Sequence, residues 1–146
     1  MSLFFFDTSA LVKIYHEERG SKACLDLYLG TSTIAVSELA RVELYSAVFR
    51  KLREREINEG AAGAVLQRFE EDCRTRFEVY HVASLVYEEA VALLEQYASR
   101  MALRTLDALQ LATYLTYRER EADVFVSFDE RLCRVADAEG ANVLRV

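Results

Sequence analysis

The sequence predicts an α/β fold, a mainly parallel sheet with helices packed on both faces. Three observations point there. Short apolar runs rich in aromatic and β-branched residues alternate with longer stretches of helical periodicity. Hydrophobic residues make up 52% of the chain and charged residues 29%, enough apolar content for a substantial core and too much for a disordered chain. No proline, repeat or Gly/Ser-rich linker divides the 146 residues, which suits a single domain over positions 1–146.

The run Leu3–Phe6 (LFFF) is continuously apolar, as in a strand buried on both faces, and helical patterning follows to about Glu18. A second helix is expected over Ser21–Leu29 and a second strand over 33–36 (TIAV). Ser37 is suited to cap a long helix reaching about Ile57, and Asn58 to open another reaching about Arg76. Residues 78–82 (EVYHV) read as a third strand. Ser84 and Thr105 are expected to cap helices running to about Met101 and Glu121. A fourth strand over 123–128 (DVFVSF), a helix from about Asp129 to Glu139 closed by Gly140, and a last strand over 142–146 complete the pattern. Ligands of such sheets bind outside the carboxyl ends of the strands, so the residues that follow each strand are the candidates for chemistry.

Charge and cysteine usage narrow the function classes. Eighteen basic against 24 acidic residues give a formal net charge of −6, so binding of nucleic acid requires a local basic patch or a bound cation. Cys24, Cys73 and Cys133 are odd in number and form no CxxC, as expected of reduced thiols in a cytoplasmic protein. His16 and His81 lie far apart and match no zinc-ligand spacing. No apolar run approaches the roughly 18 residues of a membrane span. The apolar start of the chain meets Asp7 without a basic leader, so neither a membrane anchor nor a secretory signal is expected.

Four acids stand out. Asp7 and Asp129 directly follow predicted strands; each suits the carboxyl edge of the sheet, and each also suits helix N-capping. Glu43 sits on a helix face of small, mostly apolar residues (Leu39, Ala40, Ser46, Ala47), where a carboxylate requires either a functional site or an ion-pair partner. Asp107 opens a helix that is apolar on nearly every side, so it serves either a buried site or the helix dipole. Glu38, five residues before Glu43, points away from it and is assigned to the dipole alone. Four converging carboxylates repel one another unless protonated or bridged by a cation, and an all-oxygen set suits Mg²⁺ or Mn²⁺.

The segments FFFDTSALVKIY around Asp7, SELARVELYSA around Glu43, LRTLDALQLATYL around Asp107 and FVSFDERLCRVA around Asp129 carry a family resemblance. In this order, spanning essentially the whole chain, they resemble the PIN-domain family, and more narrowly the VapC-like ribonuclease toxins of bacterial and archaeal toxin–antitoxin pairs. The resemblance implies a PIN-like three-layer fold with a parallel five-stranded sheet flanked by helices. It maps the family's acidic metal site onto Asp7, Glu43, Asp107 and Asp129. Asp7, Asp107 and Asp129 would hold metal, while Glu43 would either ligate it or position and deprotonate a water. Ser127 stands where many relatives carry Thr and would steady a ligand or water from behind. Thr8 and Ser9 would do the same beside Asp7, or simply cap the helix. The implied reaction is hydrolysis of RNA phosphodiesters with Mg²⁺, or Mn²⁺ in its place, leaving a 5′-phosphate and a 3′-hydroxyl. The implied partners are RNA, a cognate antitoxin and a second copy of the chain in a homodimer.

Cations for RNA contact are offered by the run 50–55 (RKLRER) and by Arg100, Arg104, Arg118 and Arg120, although interleaved acids favour an ordinary solvated helix face. Tyr45 and Phe49 follow core periodicity, and Asp137 is at most a peripheral carboxylate. A haloacid-dehalogenase-type phosphatase would need a second Asp where Ser9 stands, and a receiver domain would need an acceptor Asp where Ser84 follows the third strand. Two alternatives stay open: a catalytically weak PIN-like binding module, and a PIN nuclease acting outside a toxin–antitoxin system.

Overall fold

A computed structural model describes residues 2–146. The elements follow as β1 (Leu3–Phe6), α1 (Thr8–Tyr15), α2 (Ser21–Leu29), β2 (Thr33–Ser37), α3 (Leu39–Arg53) and α4 (Glu59–Thr75). The second half contains β3 (Phe77–Tyr80), α5 (Ser84–Met101), α6 (Thr105–Tyr117), β4 (Val124–Ser127), α7 (Glu130–Ala138) and β5 (Asn142–Arg145). The five strands form one sheet in the order β3-β2-β1-β4-β5, and every neighbouring pair is parallel.

Alternation along each strand sends side chains to two separate cores. Phe5, Ala35 and Phe125 face a core shared with Val86, Leu93, Leu111, Leu132 and Val135 of α5, α6 and α7. Phe6, Val36 and Val126 face the other, against Leu11, Cys24, Leu44 and Phe69 of α1 to α4. The result is three layers, helix–sheet–helix. Connections from β1 lead to β2 and β3 on one side, and β4 and β5 lie on the other. The chain therefore reverses direction across the sheet between β1 and β4, where a crevice opens at the carboxyl ends.

Several element ends differ from expectation. Asn58 caps α4 as expected, its side chain accepting from Ala61 N–H at 2.8 Å. Ser84 and Thr105 do not cap; they are the first residues of their helices, and Ala83 and Arg104 occupy the cap positions without a side-chain bond. Ser37 closes β2, with Glu38 at the cap position of α3, yet the Ser37 hydroxyl still accepts from the first N–H of that helix, Leu39, at 3.2 Å. Helix α6 stops at Tyr117 rather than about Glu121, because the buried Asp123 carboxylate accepts from the N–H groups of Glu119 and Arg120, both at 3.1 Å, and bends the chain toward β4. Helix α1 likewise ends at Tyr15, short of Glu18. Phe49 is not a core residue: it is 50% exposed on the outer face of α3. All three cysteines are free thiols.

Candidate active site

One cleft at the crevice between β1 and β4 is lined by Asp7, Glu43, Asp107 and Asp129 together. Each acid arrives from a different element. Asp7 is the last residue before α1 and is anchored by its N–H to Val126 O of β4 at 3.1 Å. Asp129 sits at the same level after β4, Glu43 projects from α3, and Asp107 projects from the first turn of α6. Asp7 and Asp129 are also helix caps: Asp7 accepts from Ala10 N–H at 3.0 Å, and Asp129 from Arg131 and Leu132 N–H at 3.0 and 3.3 Å. Capping and placement in the cleft are thus the same geometry, because a helix that starts at a strand end directs its cap residue toward the sheet edge.

Two serines hold Asp7. Ser127 donates to Asp7 Oδ2 at 2.6 Å and Ser9 donates to Asp7 Oδ1 at 2.7 Å. Both hydroxyl oxygens in turn accept backbone N–H groups of the β4–α7 corner, Ser9 from Phe128 at 3.0 Å and Ser127 from Asp129 at 3.1 Å. Asp7 and the Asp129 backbone are therefore locked into one assembly, and both serine protons are committed to a carboxylate. Thr8 turns instead toward Glu43 and α6. Among the described residues no arginine pairs with Glu43; its Oε1 accepts from Gln110 Nε2 at 2.7 Å. Asp107 has an ion pair with Arg104 at 3.6 Å.

The electrostatics oppose full ionisation. Burial pushes the Asp7 carboxyl up from 3.8 to about 6, against the hydrogen bonds from Ser127 and Ser9, and the Glu43 charge adds to the rise. Glu43 is raised by burial and by Asp107, and Asp107 by burial and by Asp129. The acids thus form a chain of mutually repelling neighbours. Among the described residues no histidine or cysteine lines the cleft, so the acidic donor set is all oxygen and fits a hard divalent cation. Among the described residues no three His, Cys, Asp or Glu side chains already stand within reach of a single ion.

Of the proposed RNA-contacting cations, Arg50, Lys51 and Arg104 line this cleft; Arg53, Arg55, Arg100, Arg118 and Arg120 do not. Lys51 is committed to Glu56 at 3.2 Å and Glu18 at 3.5 Å. Glu18 also pairs at 3.0 Å with the buried Lys13, whose Nζ lies 3.7 Å from the Phe128 ring centre. Asp137 pairs with Arg145 away from the cleft, and Glu38 clasps the β3–α5 loop through Val82 N–H at 2.6 Å. Gln110 escaped the sequence reading. Its signal was available, a polar side chain in a helix apolar on nearly every side, one turn beyond Asp107.

Residues 4–138 match the PIN domain family model. The chain belongs to the PIN domain family. This PIN domain is 31% identical to Ribonuclease VapC49 of Mycobacterium tuberculosis (strain ATCC 25618 / H37Rv), over 98% of the chain and 95% of the relative. It matches Ribonuclease VapC45 of the CDC 1551 / Oshkosh strain to the same extent. Among solved structures it is similar to DNA-bound VapBC from Salmonella typhimurium, with a TM-score of 0.69 at 16% identity over 99% of this chain and 98% of that one. It is also similar to VapC20 of M. tuberculosis, a sarcin-ricin loop cleaving toxin, with a TM-score of 0.67 at 19% identity over 98% and 99% of the two chains. At these identities the structural likeness establishes the fold: this PIN domain shares the five-stranded parallel sheet and flanking helices of the VapC structures. Among the described residues no helix is long and apolar enough to cross a membrane.

Proposed function

We propose that this PIN domain, a single unit over residues 1–146, is a metal-dependent endoribonuclease and the toxin of a toxin–antitoxin pair. The observation that carries the proposal is the convergence of four carboxylates, from four separate elements, on one cleft at the sheet's carboxyl edge. The names of the VapC relatives supply the substrate class, RNA, and the VapBC assemblies supply the partner, a cognate antitoxin.

Asp7, Asp107 and Asp129 would hold Mg²⁺, with Mn²⁺ as a substitute. A bound divalent ion supplies a water of lowered pKa and a positive charge at the leaving oxygen. The chain's own residues prepare for that chemistry. Ser9 and Ser127 fix both oxygens of Asp7, and Thr8 engages Glu43, whose carboxylate either joins the ion or takes the proton of the attacking water. Arg50 and Arg104, exposed at the cleft, offer bidentate contacts to flanking phosphates. A homodimer and a cytoplasmic location accord with this reading.

The test is cleavage of structured and single-stranded RNAs with Mg²⁺, Mn²⁺ or EDTA, alongside Asp7→Asn. Cleavage that requires metal and is lost by at least about 100-fold in the variant is the expected result. Cleavage that persists in both EDTA and Asp7→Asn would overturn it, and metal binding without turnover on any RNA would make the chain a binding module.

A further inference from the structure

Gln110 lies in the middle of α6 between Leu109 and Leu111, and every residue from Ala108 to Tyr114 is buried. It is itself only 3% exposed. Its Nε2 donates to Glu43 Oε1 at 2.7 Å and to Thr8 Oγ1 at 3.1 Å. One amide nitrogen thus bridges the Glu43 carboxylate and the Thr8 hydroxyl, and both neighbours favour the charged form of Glu43. A carboxylate only accepts, so the amide nitrogen must face Glu43, and the carbonyl end is directed elsewhere. Among the described residues it finds no partner there: Gln110 Oε1 is buried without a hydrogen bond. A buried carbonyl without a partner is destabilising, which offsets part of what the two donor bonds contribute to folding. The contact also spans the molecule. Helix α6 belongs to the layer on one face of the sheet, while α1 and α3 belong to the other. The Gln110 bridge spans the carboxyl end of the sheet, from the helix that carries Asp107 to the helices that carry Thr8 and Glu43.

We infer that Gln110 is a positioning residue of the nuclease site, whose amide reaches across the sheet edge from the Asp107 helix to fix the Glu43 carboxylate and the Thr8 hydroxyl at a set distance from Asp107. The inference rests on the function proposed above for the cleft. It assigns Gln110 no contact with RNA or metal; the residue acts through Glu43, and the orphan carbonyl is the cost of presenting two donors on the side where they are needed.

The experiment uses Gln110→Met, which keeps shape and removes both amide ends, and Gln110→Asn, which keeps the amide but is one methylene too short to reach. Three readouts are compared with wild type: the ¹³C resonance of the Glu43 carboxyl in metal-free protein, the affinity for Mn²⁺ by calorimetry, and kcat and KM on a cleaved RNA. Both variants are expected to move or broaden the Glu43 resonance and leave that of Asp7 in place. Mn²⁺ affinity or kcat should fall about 10–100-fold, with KM changed little. Gln110→Met should melt close to wild type, because losing the orphan carbonyl offsets the lost bonds. A purely structural glutamine would give the opposite pattern, a lower melting temperature with the Glu43 resonance and kcat unchanged below it. An unmoved Glu43 resonance in Gln110→Asn overturns the inference even if Gln110→Met fails to fold. A moved resonance in a protein that cleaves no RNA would refute the proposed function and leave the positioning of Glu43 intact.

Discussion

At the scale of single residues, Asp7 is an acid that the fold holds at a disadvantage. It is 3% exposed, and its carboxyl is raised from 3.8 to about 6 chiefly by burial. A folded-state pKa above the unfolded one means that the native protein binds this proton more tightly. Stability from the group is therefore greatest below about pH 4 and is lost as pH rises through about 6. At about 1.4 kcal/mol per pKa unit, the ionised form costs up to about 3 kcal/mol. Thermal melts in EDTA should accordingly show Asp7→Asn more stable than wild type at pH 7, with the gap narrowing toward pH 4. Comparing the two proteins cancels groups such as Glu18 and Asp123, whose pKa values are lowered and whose pH dependence runs the other way. The same substitution that stabilises should abolish cleavage, and a variant that loses both would be simply misfolded. Asp7 and Asp129 were legible because they follow strands, although sequence alone left capping and site placement as alternatives that the structure shows to coincide. Gln110 is conspicuous in sequence as a polar residue on an apolar helix, but its partner is not legible there, since Glu43 lies 67 positions away.

At the scale of elements, the helices of one layer are tied by a buried polar knot. Asp72 of α4, 1% exposed, accepts from Tyr15 of α1 at 2.6 Å and from Tyr28 of α2 at 3.0 Å. Arg68 reaches the same carboxylate at 3.4 Å, and the Arg76 guanidinium lies 4.0 Å from the Tyr28 ring centre. Asp72→Ala removes the acceptor of both tyrosine O–H groups, although Tyr28 keeps Arg68 as a donor, and should destabilise the protein by about 2–4 kcal/mol in urea unfolding. Asp72→Asn keeps an acceptor and should lose less. A loss under 1 kcal/mol for the alanine variant would show that water replaces the carboxylate. Element type and order were readable throughout because periodicity and strand length are local signals. Helix ends were less so. The stop of α6 depends on Asp123, which in sequence is indistinguishable from the first residue of a strand, and Ser84 and Thr105 sit one place inside their helices. Phe49 shows the limit of periodicity on α3, since a residue at helical spacing from the core faces solvent when no element packs over it.

For the whole molecule, the balance of charge sets the condition for activity. A chain of net charge −6 with an acidic cleft attracts neither phosphate nor RNA unless cations are present. Binding of Mn²⁺ should therefore stabilise the native state as well as permit turnover. At 100 times its dissociation constant, a ligand that binds only the folded form adds about 2.7 kcal/mol. The melting temperature should rise with Mn²⁺ at pH 7 and not with Na⁺ at matched ionic strength, and the rise should vanish in Asp129→Asn. A rise of equal size in that variant would place the ion elsewhere. The parallel sheet was legible as a class, but its order was not, since β1 pairs with β4 across more than 110 intervening residues and nothing local specifies that neighbour.

That pairing has a temporal side. Ser127 meets Asp7 across 120 positions of chain, and the crevice has no second wall until β4 lies beside β1. As the polypeptide leaves the ribosome, Asp7, Glu43 and Asp107 emerge in turn with no site to belong to, and the fourth acid follows only once β4 has been made. An enzyme that cuts RNA would thus be harmless to the machine translating it until β4 has been made and has paired with β1.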